Sequence, residues 1–85
     1  MKVSPLCSRD GGRELYLTAR VDAQKYRLTL PAAMLDDTCG DTSSEATRKA
    51  WVKDNMPDVQ ATLTARISDA SVRAPYTRIL VEEIS

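Results

Sequence analysis

The stretch from Ser44 to Ala70 constrains the fold most, because no other segment is long and regular enough to cover a sheet. Apolar side chains recur within it in steps of three and four residues: Val52, Met56, Val59, Leu63, Ile67 and Ala70. This spacing is typical of one face of an α-helix. A helix with one apolar face has to bury that face against another element. The pattern therefore predicts a long amphipathic helix that packs on a second layer.

A proline interrupts this predicted helix. Pro57 has no amide hydrogen, and its ring clashes with the carbonyl of Lys53, four residues before it. The helix therefore either kinks or breaks into two helices, with Asn55 placed to cap the second one. Because the apolar spacing continues unchanged through Pro57, we expect a small change of direction rather than a full break.

Two strands are predicted before the helical region. In residues 13–21 and 25–30 apolar side chains alternate with polar ones, which is typical of strands with one buried face. The inward set is Leu15, Leu17, Ala19 and Val21 in the first strand, and Tyr26, Leu28 and Leu30 in the second. Only Asp22, Ala23 and Gln24 separate the strands, so the pair predicts an antiparallel hairpin.

The remaining segments predict shorter elements. Pro31 suits the first turn of a short helix over 32–38, which Gly40 is placed to end. Residues 77–84 predict a last strand, and its apolar triplet at 79–81 indicates cover on both sides or an interior position in the sheet. Residues 1–12 predict either a loose arm or an edge strand, since Pro5 removes a ladder donor.

Together these elements predict one α+β domain spanning residues 1–85. It would have two layers: a small antiparallel sheet of about three or four strands, covered on one face by the long helix that Pro57 kinks or breaks. A chain of 85 residues holds a single core.

Composition narrows the range of functions. The 12 basic and 12 acidic residues balance, so binding to nucleic acid is not expected to be the main role. No apolar run approaches 18 residues, and the first ten residues contain no apolar signal region, so we expect a cytoplasmic protein that does not bind a membrane.

The sequence offers little for catalysis. It contains no histidine, which removes the usual general base and most zinc sites. Cys7 and Cys39 read as two small side chains in a reducing compartment rather than as a disulfide or reactive thiol. The acidic residues around Cys39 do not have the spacing of a calcium loop, and they read as a solvated turn. We therefore expect no enzyme activity, no cofactor and no metal.

One candidate interaction face remains. Five residues are predicted to lie together on the outward side of the strands: Tyr16, Arg20, Lys25, Arg27 and Arg78. Basic residues beside an aromatic ring on a sheet are able to bind an acidic partner or RNA. The simpler interpretation is the polar side of an antiparallel sheet, with Glu14, Glu82 and Glu83 as counter-charges.

Residues 15–85 resemble a family of short bacterial proteins known only as domain of unknown function 1488. Four segments carry the resemblance: Thr18-Ala19-Arg20-Val21-Asp22, the helical run from Pro31 to Asp37, Trp51-Val52-Lys53-Asp54-Asn55 followed by Pro57-Asp58-Val59, and Arg78-Ile79-Leu80-Val81. Where members of that family often have glycine in the first hairpin, this chain has Ala23. The resemblance implies the same fold and brings no catalytic residues.

The combined expectation is a non-enzymatic module that binds another protein or associates with itself, for example as a homodimer. Two alternatives stay open. One is a small inhibitor or immunity-type protein carried on a mobile element, and the other is an accessory protein that contacts nucleic acid through the basic face.

Overall fold

The central hairpin forms as the alternating pattern predicts. In a computed structural model, which describes residues 1–84, strand β3 (Glu14–Val21) pairs antiparallel with strand β4 (Gln24–Leu30). Three further strands are β1 (Lys2–Val3), β2 (Cys7–Arg9) and β5 (Leu80–Ile84). The helices are α1 (Ala32–Cys39), α2 (Glu45–Asp54) and α3 (Met56–Ile67), and two 3-10 turns occupy Asp10–Gly12 and Tyr76–Arg78. The fold class is therefore α+β, as expected.

The sheet has five strands, so the predicted three or four is wrong. The strand order is β1-β3-β4-β5, and β2 pairs with β3 on the same side as β1. The extra strands come from the N-terminal arm, which stays paired although Pro5 interrupts it. Val3 lies opposite Ala19 whereas Cys7 lies opposite Tyr16, so the arm has one more residue than β3 between these points and forms a bulge.

A serine side chain maintains the pairing at this bulge. The backbone amide of Ser4 donates to the carbonyl of Thr18 at 2.8 Å, and the amide of Thr18 donates to Ser4 Oγ at 2.9 Å. The hydroxyl thus takes the place of a backbone carbonyl in the ladder. This contact connects β1 and β2 into one interrupted edge.

The predicted long helix is two helices, so the small change of direction that we expected is wrong. The break falls at Asn55 (φ −110°, ψ 16°), two residues before Pro57. Asn55 does not cap α3 with its side chain. Its Nδ2 group donates back to the carbonyl of Trp51 at 2.8 Å, which occupies one of the carbonyls left free at the end of α2.

All three helices pack on one face of the sheet, which we call the inner face. Its buried residues are Leu15, Leu17, Ala19, Tyr26, Leu28 and Leu30 from the strands, and Met34, Leu35, Val52, Val59 and Leu63 from the helices. The last part of the predicted apolar stripe does not reach this core, because Ile67 is 45% exposed and Ala70 lies beyond α3.

The C-terminal strand also differs from expectation. Ile79 is fully buried but ends a 3-10 turn, and β5 begins only at Leu80, which is 56% exposed. Within residues 1–84, β5 pairs with β4 alone, so it is an edge strand rather than an interior one. The apolar triplet at 79–81 was misleading because Ile79 ends the 3-10 turn, whereas Leu80 and Val81 belong to β5.

A fully buried arginine joins the helices to the sheet. Arg48 of α2 has no exposed surface, and each nitrogen of its guanidinium donates a hydrogen bond. Nε donates to Ser43 Oγ at 2.9 Å, one terminal nitrogen donates to the carbonyl of Arg13 at 2.7 Å, and the other donates to Asp36 Oδ1 at 2.5 Å and to the carbonyl of Gly40 at 3.2 Å. These contacts fix α1, α2 and the start of β3 relative to one another.

Asp36 also binds a second guanidinium, that of Arg13, in the same network. Arg13 donates to Asp36 Oδ1 at 2.7 Å and to the carbonyl of Asp41 at 3.1 Å. The pKa of Asp36 lies below its ordinary value of 3.8, first because Arg48 donates a hydrogen bond to the carboxylate and then because both guanidinium charges are near. The carboxylate form therefore belongs to the folded network.

Replacing Arg48 should destabilise the fold strongly. Arg48→Met leaves the carbonyl of Arg13 without its donor and removes one of the two guanidinium partners of Asp36, and we expect a loss of about 3 kcal/mol in the free energy of unfolding. Urea denaturation followed by the fluorescence of Trp51, the single tryptophan, measures this loss. Lys53→Met is the matched control on an exposed position of α2 and should change stability by less than about 0.5 kcal/mol. Equal losses in the two variants would contradict the role given to Arg48.

Acid should weaken the same network. Because the folded-state pKa of Asp36 is depressed, its contribution is fully present above 3.8 and is lost as pH falls through the lower folded value. The stability margin of the wild type over Asp36→Asn should therefore be constant above about pH 5 and shrink below about pH 4. Urea titrations of both proteins at several pH values test this expectation. A margin that does not change down to the lowest pH at which both proteins fold would refute it.

Candidate functional site

The candidate site is the outer face of the sheet, which lies opposite the helices. Cross-strand pairing arranges its side chains in three rows, because directly opposed residues share a face. The first row is Cys7, Tyr16, Thr29 and Leu80; the second is Thr18, Arg27 and Glu82; the third is Lys2, Arg20, Lys25 and Ile84. The middle strands place these rows, since β3 and β4 pair along seven residues and bury their inner side chains in the core.

Three basic side chains stand side by side in the third row. Lys2 of β1 faces Arg20 of β3, which faces Lys25 of β4, and all three are exposed. We call these residues the basic row. No acidic side chain among residues 1–84 lies within 4.0 Å of them in an ion pair. Like charges directly opposed on neighbouring strands are destabilising, so the arrangement weakens the fold that carries it.

A shallow groove of about 420 Å³ runs along the basic row. Besides the three cations it is lined by Ser4 and Thr18, which are joined through the bulge of the N-terminal arm. The groove therefore combines positive charge with hydroxyl groups. Carboxylates and phosphates are the groups that such a surface attracts.

Two other predicted residues lie on the same face but are already engaged. The Tyr16 ring lies beneath the guanidinium of Arg9, 4.2 Å from the ring centre, and Arg9 also pairs with Glu14 at 3.4 Å. Arg27 faces Glu82 across the strands, with 3.9 Å between the charged atoms, while its buried Nε has no partner among the described residues. Neither residue presents a free charge comparable with the basic row.

Arg78 does not belong to this face, so its predicted place on an outward strand position is wrong. It lies in the 3-10 turn before β5 and pairs with Asp37 of α1. The error follows from the position of β5, which begins three residues later than the strand pattern suggested. Lys2, in contrast, was missed, because a strand of two residues carries no periodic signal.

The charge of the chain is divided between its surfaces. The outer face holds five of the 12 basic residues (Lys2, Arg9, Arg20, Lys25 and Arg27) and two of the 12 acidic ones (Glu14 and Glu82). The rest of the chain keeps seven basic and ten acidic residues. A chain of zero net charge thus has an outer face of +3 and a remainder of −3, with the unpaired cations in the basic row.

Another groove, of about 440 Å³, lies between α3 and residues 71–76. The hydroxyl of Tyr76, which lines it, contacts Asp58 Oδ2 and Asn55 Oδ1, each at 3.2 Å. Burial, reinforced by Asp58, raises the pKa of Tyr76 above 10.0. The Tyr76 ring also stacks on Trp51 at 6.1 Å, so this region serves the packing of α2 against α3.

The acidic residues around Cys39 are separated by their partners. Asp36 binds Arg13 and Arg48, Asp37 binds Arg78, and Glu45 binds Lys49 at 2.9 Å. Lys49 lowers the pKa of Glu45 by its hydrogen bond and charge. Cys7 and Cys39 are both free thiols. Over residues 1–84, no group of three potential metal-binding side chains is found.

Comparison with known proteins adds no relative. No family model matches the chain, no curated protein matches it, and no solved structure matches it. The resemblance to domain of unknown function 1488 therefore stays a prediction. Over the residues described, no helix has the length and apolar character needed to cross a membrane. The fold and the site so far define a small α+β protein with one bare, positively charged sheet face.

Removing the central charge of the basic row should stabilise the protein. Arg20→Thr relieves the repulsion with both Lys2 and Lys25 and keeps a good strand former, so we expect a gain of about 0.5 kcal/mol at low salt. The gain should fade in high salt, which screens exposed charges. Arg27→Thr is the control from the same face and should lose a few tenths of a kcal/mol, because Arg27 faces Glu82. A loss in Arg20→Thr at low salt would contradict the repulsion.

Proposed function

We propose that the protein is a cytoplasmic, non-enzymatic binding module whose outer sheet face binds an acidic segment of another protein. The observation that carries the proposal is the basic row: three exposed cations stand directly opposite one another, with no acidic partner among residues 1–84. Such a row opposes folding, and a feature that weakens a fold is typical of a functional surface. An acidic partner would supply the missing counter-charges.

The shape of the face fits an extended or flat partner. The basic row runs across neighbouring strands about 4.8 Å apart, so a segment lying along it meets one cation on each of β1, β3 and β4. Thr18 lines the groove beside these cations and offers its hydroxyl group to the same segment. Electrostatic attraction of this kind chiefly accelerates association and selects the partner by charge.

Two features favour an acidic protein over nucleic acid. Outside the outer face the chain carries a net charge of −3, which repels the long phosphate backbone beyond a contact of a few residues. The one aromatic ring on the face, Tyr16, is covered on one side by Arg9 and is less available for stacking on bases. Charge alone would attract either ligand, so the test includes both.

Titration with defined probes tests the proposal. A synthetic peptide that alternates glutamate with valine should shift the backbone amide resonances of residues around the basic row in ¹⁵N spectra, and the affinity should fall as salt rises. The Arg20→Glu, Lys25→Glu double variant should weaken binding at least tenfold. Lys53→Glu with Arg73→Glu makes the same change in net charge at two exposed positions away from the sheet and should bind like the wild type.

Two results would overturn the proposal. One is the absence of any resonance shift at millimolar peptide in low salt, the condition in which charge attraction is strongest. The other is tighter binding of a single-stranded oligonucleotide than of the peptide through the same residues, which would assign the face to nucleic acid.

A further inference from the structure

The free edge of β5 is a second unpartnered surface, separate from the basic row. Within residues 1–84, β5 pairs with β4 on one side and no strand lies on its other side. An edge strand leaves backbone donors and acceptors available to a further strand. The opposite edge of the sheet is protected, because Pro5 and the bulge interrupt it. Among the strands described, β5 is therefore the one open to edge-to-edge pairing.

Apolar side chains cluster beside this open edge. Leu80 on β5 is 56% exposed and Ile67 at the end of α3 is 45% exposed; the only other large apolar side chain exposed among the described residues is Met1. Ile67 and Val81 line a groove of about 380 Å³ together with Arg66 and Glu83. The edge thus offers apolar surface on the outer face and a mixed groove on the inner face.

The order of residues in β5 allows a register that pairs apolar side chains at both ends of the strand. The strand reads Leu-Val-Glu-Glu-Ile from 80 to 84, and antiparallel pairing centred on Glu82 sets Leu80 opposite Ile84 of a second copy. On the inner face, Val81 then lies opposite Glu83 of the second copy, beside the groove that Arg66 lines. The outer face of this register thus gains two apolar pairs, Leu80 of each copy with Ile84 of the other.

At the centre of this register, Glu82 lies opposite Glu82 of the second copy, so two like charges face each other. Each Glu82 lies across the strands from Arg27 of its own chain, at 3.9 Å between charged atoms. Arg27 also has a buried Nε without a partner among residues 1–84. Two guanidinium groups therefore flank the two carboxylates and offset their repulsion.

We propose that β5 pairs antiparallel with β5 of a second copy, with the two-fold axis at Glu82. The two sheets would join into one sheet of ten strands with both outer faces on the same side. Because each copy uses its single open edge, the assembly closes at two chains. The contact is short, about 17 Å for five residues, so we expect a weak dimer. This inference does not depend on the basic row, which spans β1, β3 and β4.

Disulfide trapping tests the register. In a Cys7→Ser, Cys39→Ser background, Glu82→Cys places identical positions opposite each other at a separation that a disulfide spans, so oxidation should give a covalent dimer. Leu80→Cys alone should not cross-link, because its counterpart lies four residues away along the second copy. Mixing Leu80→Cys with Ile84→Cys chains should give a cross-linked heterodimer. Self-cross-linking of Leu80→Cys as fast as that of Glu82→Cys would overturn the register.

Sedimentation analysis tests the edge itself. From roughly 10 µM to 1 mM, the range in which weak interfaces associate, the wild type should change from monomer to dimer. Leu80→Lys should weaken the dimer at least tenfold, whereas Cys7→Lys, an exposed position of the same face at the other edge, should leave it unchanged. A wild type that stays monomeric at 1 mM, or equal losses in both variants, which indicate face-to-face stacking, would overturn the proposal.

Discussion

The guanidinium of Arg48 is the interaction on which the arrangement of the layers depends. A buried charge is tolerated only when its hydrogen-bond donors find partners, and the partners of Arg48 come from three separate parts of the chain. The carbonyl of Arg13 belongs to the approach to β3, that of Gly40 to the end of α1, and Asp36 to α1 itself. All of these groups have to converge on α2, so the helices gather on one face of the sheet.

The turn before β3 is shaped by the same convergence. Gly12 has a positive φ of 89°, and a side chain there would collide with Glu45 at the start of α2. Glycine at this position therefore allows α2 to approach the turn closely enough for Arg48 to reach the carbonyl of Arg13. The conformational freedom of Gly12 and the hydrogen bonds of the buried Arg48 therefore both hold α2 close to the turn.

The consequence of a one-sided arrangement is a sheet with one bare face. That face carries the basic row on β1, β3 and β4 and an open apolar edge at β5. Because the row contains no residue of β5, pairing through β5 would leave the three cations of each chain on the outer face. A dimer would then present two basic rows on one continuous surface.

Local patterns predicted the hairpin well and the layers less well. The alternation in β3 and β4 identified the inward residues correctly because a period of two is set by neighbouring residues alone. The burial of Arg48 could not be predicted, because a charged residue in a helical pattern is expected to face solvent. Its hydrogen-bond acceptors come from distant parts of the chain, which the local pattern does not reveal. The break at Asn55 was an alternative that the sequence did not favour, for a similar reason: the apolar spacing is the same for one helix or two, and the partner that holds Asn55, Tyr76, lies 21 residues away.

The candidate face was predicted in part. Arg20 and Lys25 lie where the strand period places them, whereas Lys2 joins them only because Ser4 keeps the arm paired across Pro5. Arg78 was misplaced because the strand pattern could not separate the 3-10 turn from β5. The positions of the charged residues within the β3–β4 hairpin were predictable. The positions of those on the segments that flank the hairpin were not.

The most direct test of the account is to measure solvent exposure on the two faces of the sheet in solution. A soluble paramagnetic probe broadens the resonances of exposed methyl groups and leaves buried ones sharp. With one bare face, the methyl groups of Thr18 and Leu80 should broaden strongly while those of Leu17 and Leu28 stay sharp, in dilute protein where any pairing of chains is absent. Equal protection of both sets would contradict the account, because it would mean that the outer face is covered.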